Sequence, residues 1–108
     1  MKVGDVKDVV AWVNAMPGPG SAPTLHVTGK VTAPTPCYEV LAEFDGFDKS
    51  NPPVYRVKVL LSERPGLCPQ VLTDKEFHYV ERNYAGNSKQ LSVLSDTDSK
   101  TVDIQTVS

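Results

Sequence analysis

Val54-Tyr55-Arg56-Val57-Lys58-Val59-Leu60-Leu61 decides the fold class, because Tyr55, Val57, Val59 and Leu61 fall on one face and Arg56 and Lys58 on the other. A side-chain period of two is the pattern of a strand with one dry face, and β-branched valine suits the extended backbone. Upstream, the stretch from Asp45 to Pro53 is rich in Asp, Gly, Ser, Asn and Pro and reads as a turn. Before it, Tyr38, Val40, Ala42 and Phe44 alternate with Glu39, Leu41 and Glu43, and earlier still Leu25, Val27, Gly29 and Val31 alternate with His26, Thr28 and Lys30. Downstream, Gln70 to Thr73 predicts a short strand and Phe77 to Tyr84 a longer one. Ala85-Gly86-Asn87-Ser88 reads as a hairpin-type turn into Leu91-Ser92-Val93-Leu94, and Asp96 to Ser99 turns the chain into a last strand from Thr101 to Val107.

Seven short strands separated by turn signals, with no helix between them, disfavour βαβ units and predict an all-β chain. The expected architecture is an immunoglobulin-like antiparallel β-sandwich of about seven strands over residues 24–108, with Tyr38, Val40, Phe44, Val57, Val59, Leu61, Val93 and Ile104 in its core. It is not an antibody-type domain, which places a Trp between its two cysteines, whereas Trp12 precedes both. The strand pattern resembles small bacterial immunoglobulin-like domains in a general way. Such a resemblance carries no function.

Residues 1–23 read as an N-terminal arm and linker. Val6, Val9, Val10 and Val13 fall at i, i+3, i+4 and i+7, with Asp5 as a candidate N-cap and Pro17-Gly18 as a stop. Four valines are poor helix formers, so a short helix and an extended arm are both open. This arm is expected to dock outside the sandwich or stay mobile. Pro17-Gly18-Pro19-Gly20-Ser21-Ala22-Pro23 admits no regular element and predicts a linker.

Cys37 and Cys68 are the only cysteines, and each has prolines beside it: Pro34-Thr35-Pro36-Cys37-Tyr38 and Pro65-Gly66-Leu67-Cys68-Pro69. An even count in a short, strand-rich chain predicts one disulfide and an oxidising, secreted or periplasmic setting; reduced thiols would point to the cytoplasm. The first residues carry Asp5 and Asp8 where a signal peptide needs an unbroken apolar run, which leaves a mature domain begun at an added methionine or a cytosolic protein. If Phe44 and Val54 flank a hairpin loop, Cys37 lies roughly opposite Leu61, on the side of Glu39 and Glu43. The bond then pins a surface loop and does not cross the core.

The 108 residues allow one domain, and a formal net charge of −2 with no basic cluster argues against nucleic acid as a partner. No apolar stretch is long enough to insert as a membrane helix. His26, His78, Cys37 and Cys68 lack the close pair spacing of zinc sites, so no metal or cofactor is expected. Asp45, Asp48 and Asn51 do not follow a calcium-loop pattern, and Lys49 sits among them. No Gly-x-Ser-x-Gly elbow or phosphate-cradling glycine motif occurs, so no catalytic residue is assigned and the chain is not read as an enzyme. The expectation is a small non-catalytic binding or structural module whose partner, if any, is another protein. The alternative is an inhibitor of a secreted protease acting through Glu63-Arg64-Pro65-Gly66-Leu67-Cys68-Pro69, with Arg64, Pro65, Gly66 and Leu67 at its tip. A loop restrained by two prolines and a disulfide loses little entropy on binding, and the same loop also serves as a stiffened connection.

Overall fold

The computed structural model describes residues 2–14, 23–82, 84 and 88–107. They form seven strands: β1 (Val6–Asn14), β2 (Thr24–Ala33), β3 (Tyr38–Phe47), β4 (Tyr55–Glu63), β5 (Thr73–Arg82), β6 (Gln90–Leu94) and β7 (Ser99–Val107). All belong to one sheet in the order β3-β4-β6-β7-β1-β2-β5. Strand β7 is the corner, since Ser99 to Asp103 pair with β6 and Ile104 to Val107 pair with β1. The sheet curls there, so that β1-β2-β5 faces β3-β4-β6 and the two outer strands, β3 and β5, come alongside each other. The result is a nearly closed, barrel-like all-β fold with an unladdered seam between β3 and β5.

Two of the pairings, β1 with β7 and β4 with β6, are parallel, so the sheet is mixed where a fully antiparallel one was expected. The reason lies in the connections. After β4 the chain crosses to the opposite half as β5 and returns as β6, which then runs in the same direction as β4.

The N-terminal segment is neither a helix nor an outlying arm. It is an interior strand, paired with β2 on one side and β7 on the other. The helical valine spacing arises from a bulge between Lys7 and Val10, where Asp8 takes φ 52°. An extra residue in a strand resets the alternation. Val6, Ala11 and Val13 therefore point inward at intervals of five and two, and the valines mimic a 3.6-residue stripe. Asp tolerates the left-handed region better than most residues, which is why it stands at this position. The 17–23 linker lies outside the described residues except for Pro23, as does the 85–88 turn except for Ser88.

Seven strands were expected and seven form, but they are not the same seven. Residues 70–72 are not strand, so the short 70–73 element is absent, and the N-terminal strand takes its place in the count. The core is built from Val6, Ala11, Val13, Leu25, Val27, Val31, Tyr55, Val57, Val59, Phe77, Leu91 and Val93. Val40, Leu61 and Ile104 pack against it partly buried, and Tyr38 is half-buried. Phe44 is exposed, because the strand it sits on runs past it to Phe47 and its ring covers the end of the core, 4.9 Å from the Tyr55 ring centroid. Gly29 faces inward opposite Phe77, where a Cβ would come within 2.8 Å of the ring. Its missing side chain is the space the phenyl ring fills.

Two carboxylates lock the ends of the curled sheet. Asp98, in the β6–β7 turn, accepts the Val6 N–H at 2.9 Å and so fixes the start of β1. Asp74 accepts the Thr32 hydroxyl at 2.7 Å and pairs with Lys7 at 3.2 Å. The Val6 amide holds the Asp98 carboxyl below the usual carboxylate range, and the Thr32 hydroxyl, then Lys7, does the same for Asp74. Groups whose folded pKa is depressed stabilise fully above the unfolded value, near pH 4, and lose that contribution as pH falls through the folded value. The thermal midpoint is therefore expected to be flat from neutral pH down to about pH 5 and to fall below about pH 4. Asp98→Asn keeps an acceptor for Val6 and removes the charge, so its midpoint is expected to drop less between pH 6 and pH 3. An equal drop in both proteins would place the acid sensitivity elsewhere.

Candidate functional site

The chain leaves β4 after Glu63, passes over the start of β3, and crosses the seam into β5 at Thr73. The connection is residues 64–72, which hold no strand or helix. Cys68 in this connection is bonded to Cys37 immediately before β3, with Cα atoms 6.1 Å apart and a sequence separation of 31. The bond lies at the open seam of the sheet. Around it, the Cys37 N–H donates to the Thr35 hydroxyl at 3.2 Å, and Lys75 of β5 donates to the Pro36 carbonyl at 3.1 Å, a link across the seam.

The β3–β4 register differs from the expected one. Tyr38 pairs with Glu63 and Val40 with Leu61, so Cys37 falls opposite Arg64, whose N–H donates to the Cys37 carbonyl at 2.9 Å. The expected pairing of Cys37 with Leu61 is off by three because β3 continues through a bulge at residues 45–46 to pair Phe47 with Tyr55. That extra length brings Cys37 next to the root of the crossing connection.

The four tip residues have distinct roles. The Arg64 guanidinium turns back to pair with Glu39 on β3, though its side chain remains exposed. Pro65 stiffens the ascent, and Gly66 turns the chain with φ 136°, a conformation L side chains rarely adopt. Leu67 points fully into solvent at 103% relative exposure. After the half-buried Cys68, Pro69, Val71 and Leu72 are exposed too, with Val71 N–H bonded to the Pro69 carbonyl at 3.0 Å and the Thr73 hydroxyl bonded to the Val71 carbonyl at 2.9 Å. Beside this tip lies a shallow hollow lined by Pro36, Tyr38, Leu41, Arg64 and Lys75, with Leu41 exposed. Tyr38 donates to the Glu63 carboxylate at 3.4 Å, and partial burial, with the Glu63 charge, pushes its phenol pKa up.

Leu41, Val71 and Leu72 are the members of this surface that sequence reasoning missed. Gln70-Val71-Leu72-Thr73 has the apolar, β-branched look of a strand, and only the position of the seam shows that it is a crossing loop. The remaining candidates for chemistry are placed apart. Asp45 pairs with Arg56 at 3.2 Å, and Asp48 accepts the Ser50 N–H at 2.7 Å; the Ser50 side chain first, and then this N–H, lower its pKa. Among the described residues, no three His, Cys, Asp or Glu side chains gather as a metal cluster. The cysteines are bonded to each other, so the set of two histidines and two cysteines does not converge. His26 and His78 do meet, on the outer face of β2 and β5, with ring nitrogens 3.2 Å apart. No protein-family model, curated protein or solved structure matches the chain.

Proposed function

We propose that the chain is a small non-catalytic recognition module that binds another protein through the stapled 63–69 loop and the apolar residues just after it. The observation that carries this reading is Leu67, fully exposed on a short loop that a disulfide holds to the sheet. A single exposed leucine is ordinary on a protein surface; Leu67 stands out by its full exposure on a restrained loop that also carries exposed Val71 and Leu72. Held rigidly beside exposed Val71 and Leu72, it offers an apolar anchor whose ordering cost on binding is small. Arg64 and Glu39 supply a polar rim. A fully exposed leucine on a short loop suits a groove on a partner protein better than a small ligand, which needs a concave site.

Inhibition of a secreted protease is the second reading, favoured by the same exposed Leu67 between Gly66 and the bonded Cys68. The turn at Gly66 speaks for general recognition over it, because a protease cleft takes an extended segment.

The test is quantitative co-purification from the source cells with Leu67→Asp, with Cys37→Ser/Cys68→Ser, and with Val10→Asp, whose site is exposed on β1. Proteins retained by wild type and by Val10→Asp are expected to fall at least about tenfold with Leu67→Asp, the loss of a single anchor worth more than about 1.4 kcal/mol. Retention unchanged by Leu67→Asp would reduce the loop to a connection. Nanomolar inhibition of a protease that prefers leucine, abolished by the same substitution, would select the second reading.

A further inference from the structure

The outer face of the β1-β2-β5 half carries an aromatic row that takes no part in the core or in the stapled loop. Trp12 on β1 is paired with His26 on β2, and its indole stacks on the imidazole with centroids 5.2 Å apart and planes 12° from parallel. On its other side His26 meets His78 on β5, with centroids 5.5 Å apart. The two histidines are diagonal neighbours, because Thr28 is the direct partner of His78. Their facing nitrogens, Nδ1 of His26 and Nε2 of His78, lie 3.2 Å apart.

We propose that His26 and His78 form a surface site for one divalent transition-metal ion of the zinc, copper and nickel group, with water in the remaining positions. The spacing is what such an ion needs. Two imidazole nitrogens at about 2.0–2.1 Å from a tetrahedral zinc lie about 3.3 Å from each other. The hydrogen bond between the facing nitrogens gives way to two coordinate bonds once the donating ring carries its proton on its other nitrogen, a change of tautomer that needs little movement of either strand. The ladder of β2 and β5 fixes both backbones, and the Trp12 ring limits how far His26 can rotate, so little is lost in ordering the ligands. Imidazole selects borderline ions of this class, and the absence of clustered carboxylates among the described residues gives magnesium and calcium nothing to hold. Around the histidines the charges are of both signs: Lys30 and Glu76 face each other across β2 and β5, Asp8 of β1 pairs with Lys30 at 3.9 Å, and Arg82 lies opposite Thr24.

Trp12 is the sole tryptophan, so its fluorescence reads this site directly. Copper(II) added to the oxidised protein is expected to quench Trp12 with saturation at one equivalent. Zinc, followed by calorimetry, is expected to bind more weakly than copper, in the usual order of divalent affinities, and magnesium not at all. His26→Gln and His78→Gln each remove one of two ligands at an outer position and are expected to weaken both ions by more than about tenfold. Electron paramagnetic resonance of the wild-type copper complex is expected to show two imidazole nitrogens, a readout independent of how the variants fold. Quenching and zinc binding unchanged in either variant, or a copper spectrum without two imidazoles, would overturn the assignment.

Discussion

Protein carrying Cys37→Ser and Cys68→Ser is expected to melt about 15–25 °C below the wild type. By loop-closure entropy, a cross-link spanning a sequence separation of 31 stabilises by about 3–4 kcal/mol, acting on the unfolded chain. For a domain near this size each kcal/mol moves the midpoint by about 4–8 °C. The position of the bond gives a second expectation. The sheet is laddered everywhere except between β3 and β5, and the bond, with the Lys75 to Pro36 link, ties that seam at one end. Amide exchange in β3 and in the first residues of β5 is therefore expected to rise more than in β1 or β2 when the bond is removed. Circular dichroism melts of both proteins measure the first effect. A drop under about 5 °C would mean that the curled sheet closes without its staple.

Tyr55→Ala is expected to cost about 3–5 kcal/mol, the range for deleting a large buried aromatic side chain. Tyr55 is almost fully buried and is central to the aromatic end of the barrel, with Phe44, Phe47, Tyr84 and Tyr79 ring centroids at 4.9, 5.4, 5.9 and 6.3 Å. Its hydroxyl reaches the Glu81 carboxylate and lies 2.8 Å from the Tyr79 hydroxyl. Burial, then the bond to Glu81, pushes the Tyr55 phenol pKa far above its ordinary value, which favours the neutral, donating form. Tyr55→Phe separates the two contributions. It keeps the ring and strands the Glu81 carboxylate and the Tyr79 hydroxyl, at an expected cost of about 1–3 kcal/mol. Urea denaturation of the three proteins checks both figures, and equal stability of Tyr55→Phe and wild type would remove the polar cluster from the account.

The strands that alternate without interruption were legible in the sequence. Residues 55–61 and 25–31 read correctly because each residue's face follows from its parity, and the buried partners Val57, Val59, Leu25 and Val27 confirm the period. Parity fails wherever a bulge adds a residue. At Asp8 it turned a strand into an apparent helix. The Cys37 partner moved from Leu61 to Arg64 for another reason, because β3 runs on to Phe47 and shortens the hairpin loop, and the bulge at residues 45–46 takes one residue of that shift back. The bulge at Asp8 carries no sequence mark strong enough to find it, since Asp at a left-handed position looks like Asp anywhere, whereas Gly46, at φ 83°, is the isolated glycine within a strand that marks the second. The 70–73 stretch fails for a different reason. Its residues suit a strand, but the chain there must span the seam, and that demand is set by topology. The cysteine spacing pointed to the loop, while the exposure of Val71, Leu72 and Leu41 around it required the fold. The His26–His78 meeting was likewise hidden, because 52 residues separate two histidines that the β2–β5 register places side by side.

Recognition through the loop requires that the disulfide present residues 64–72 as an ordered element with Leu67 at its tip. Backbone 15N relaxation of the oxidised and reduced proteins, at a temperature where both remain folded, measures that order residue by residue. Order parameters for Gly66, Leu67 and Cys68 are expected near the roughly 0.85 of rigid backbone in the oxidised protein and below about 0.6 on reduction, with β2 unchanged. Values below about 0.6 at Leu67 with the bond intact would contradict it, because a loop already free in solution gains nothing from its staple.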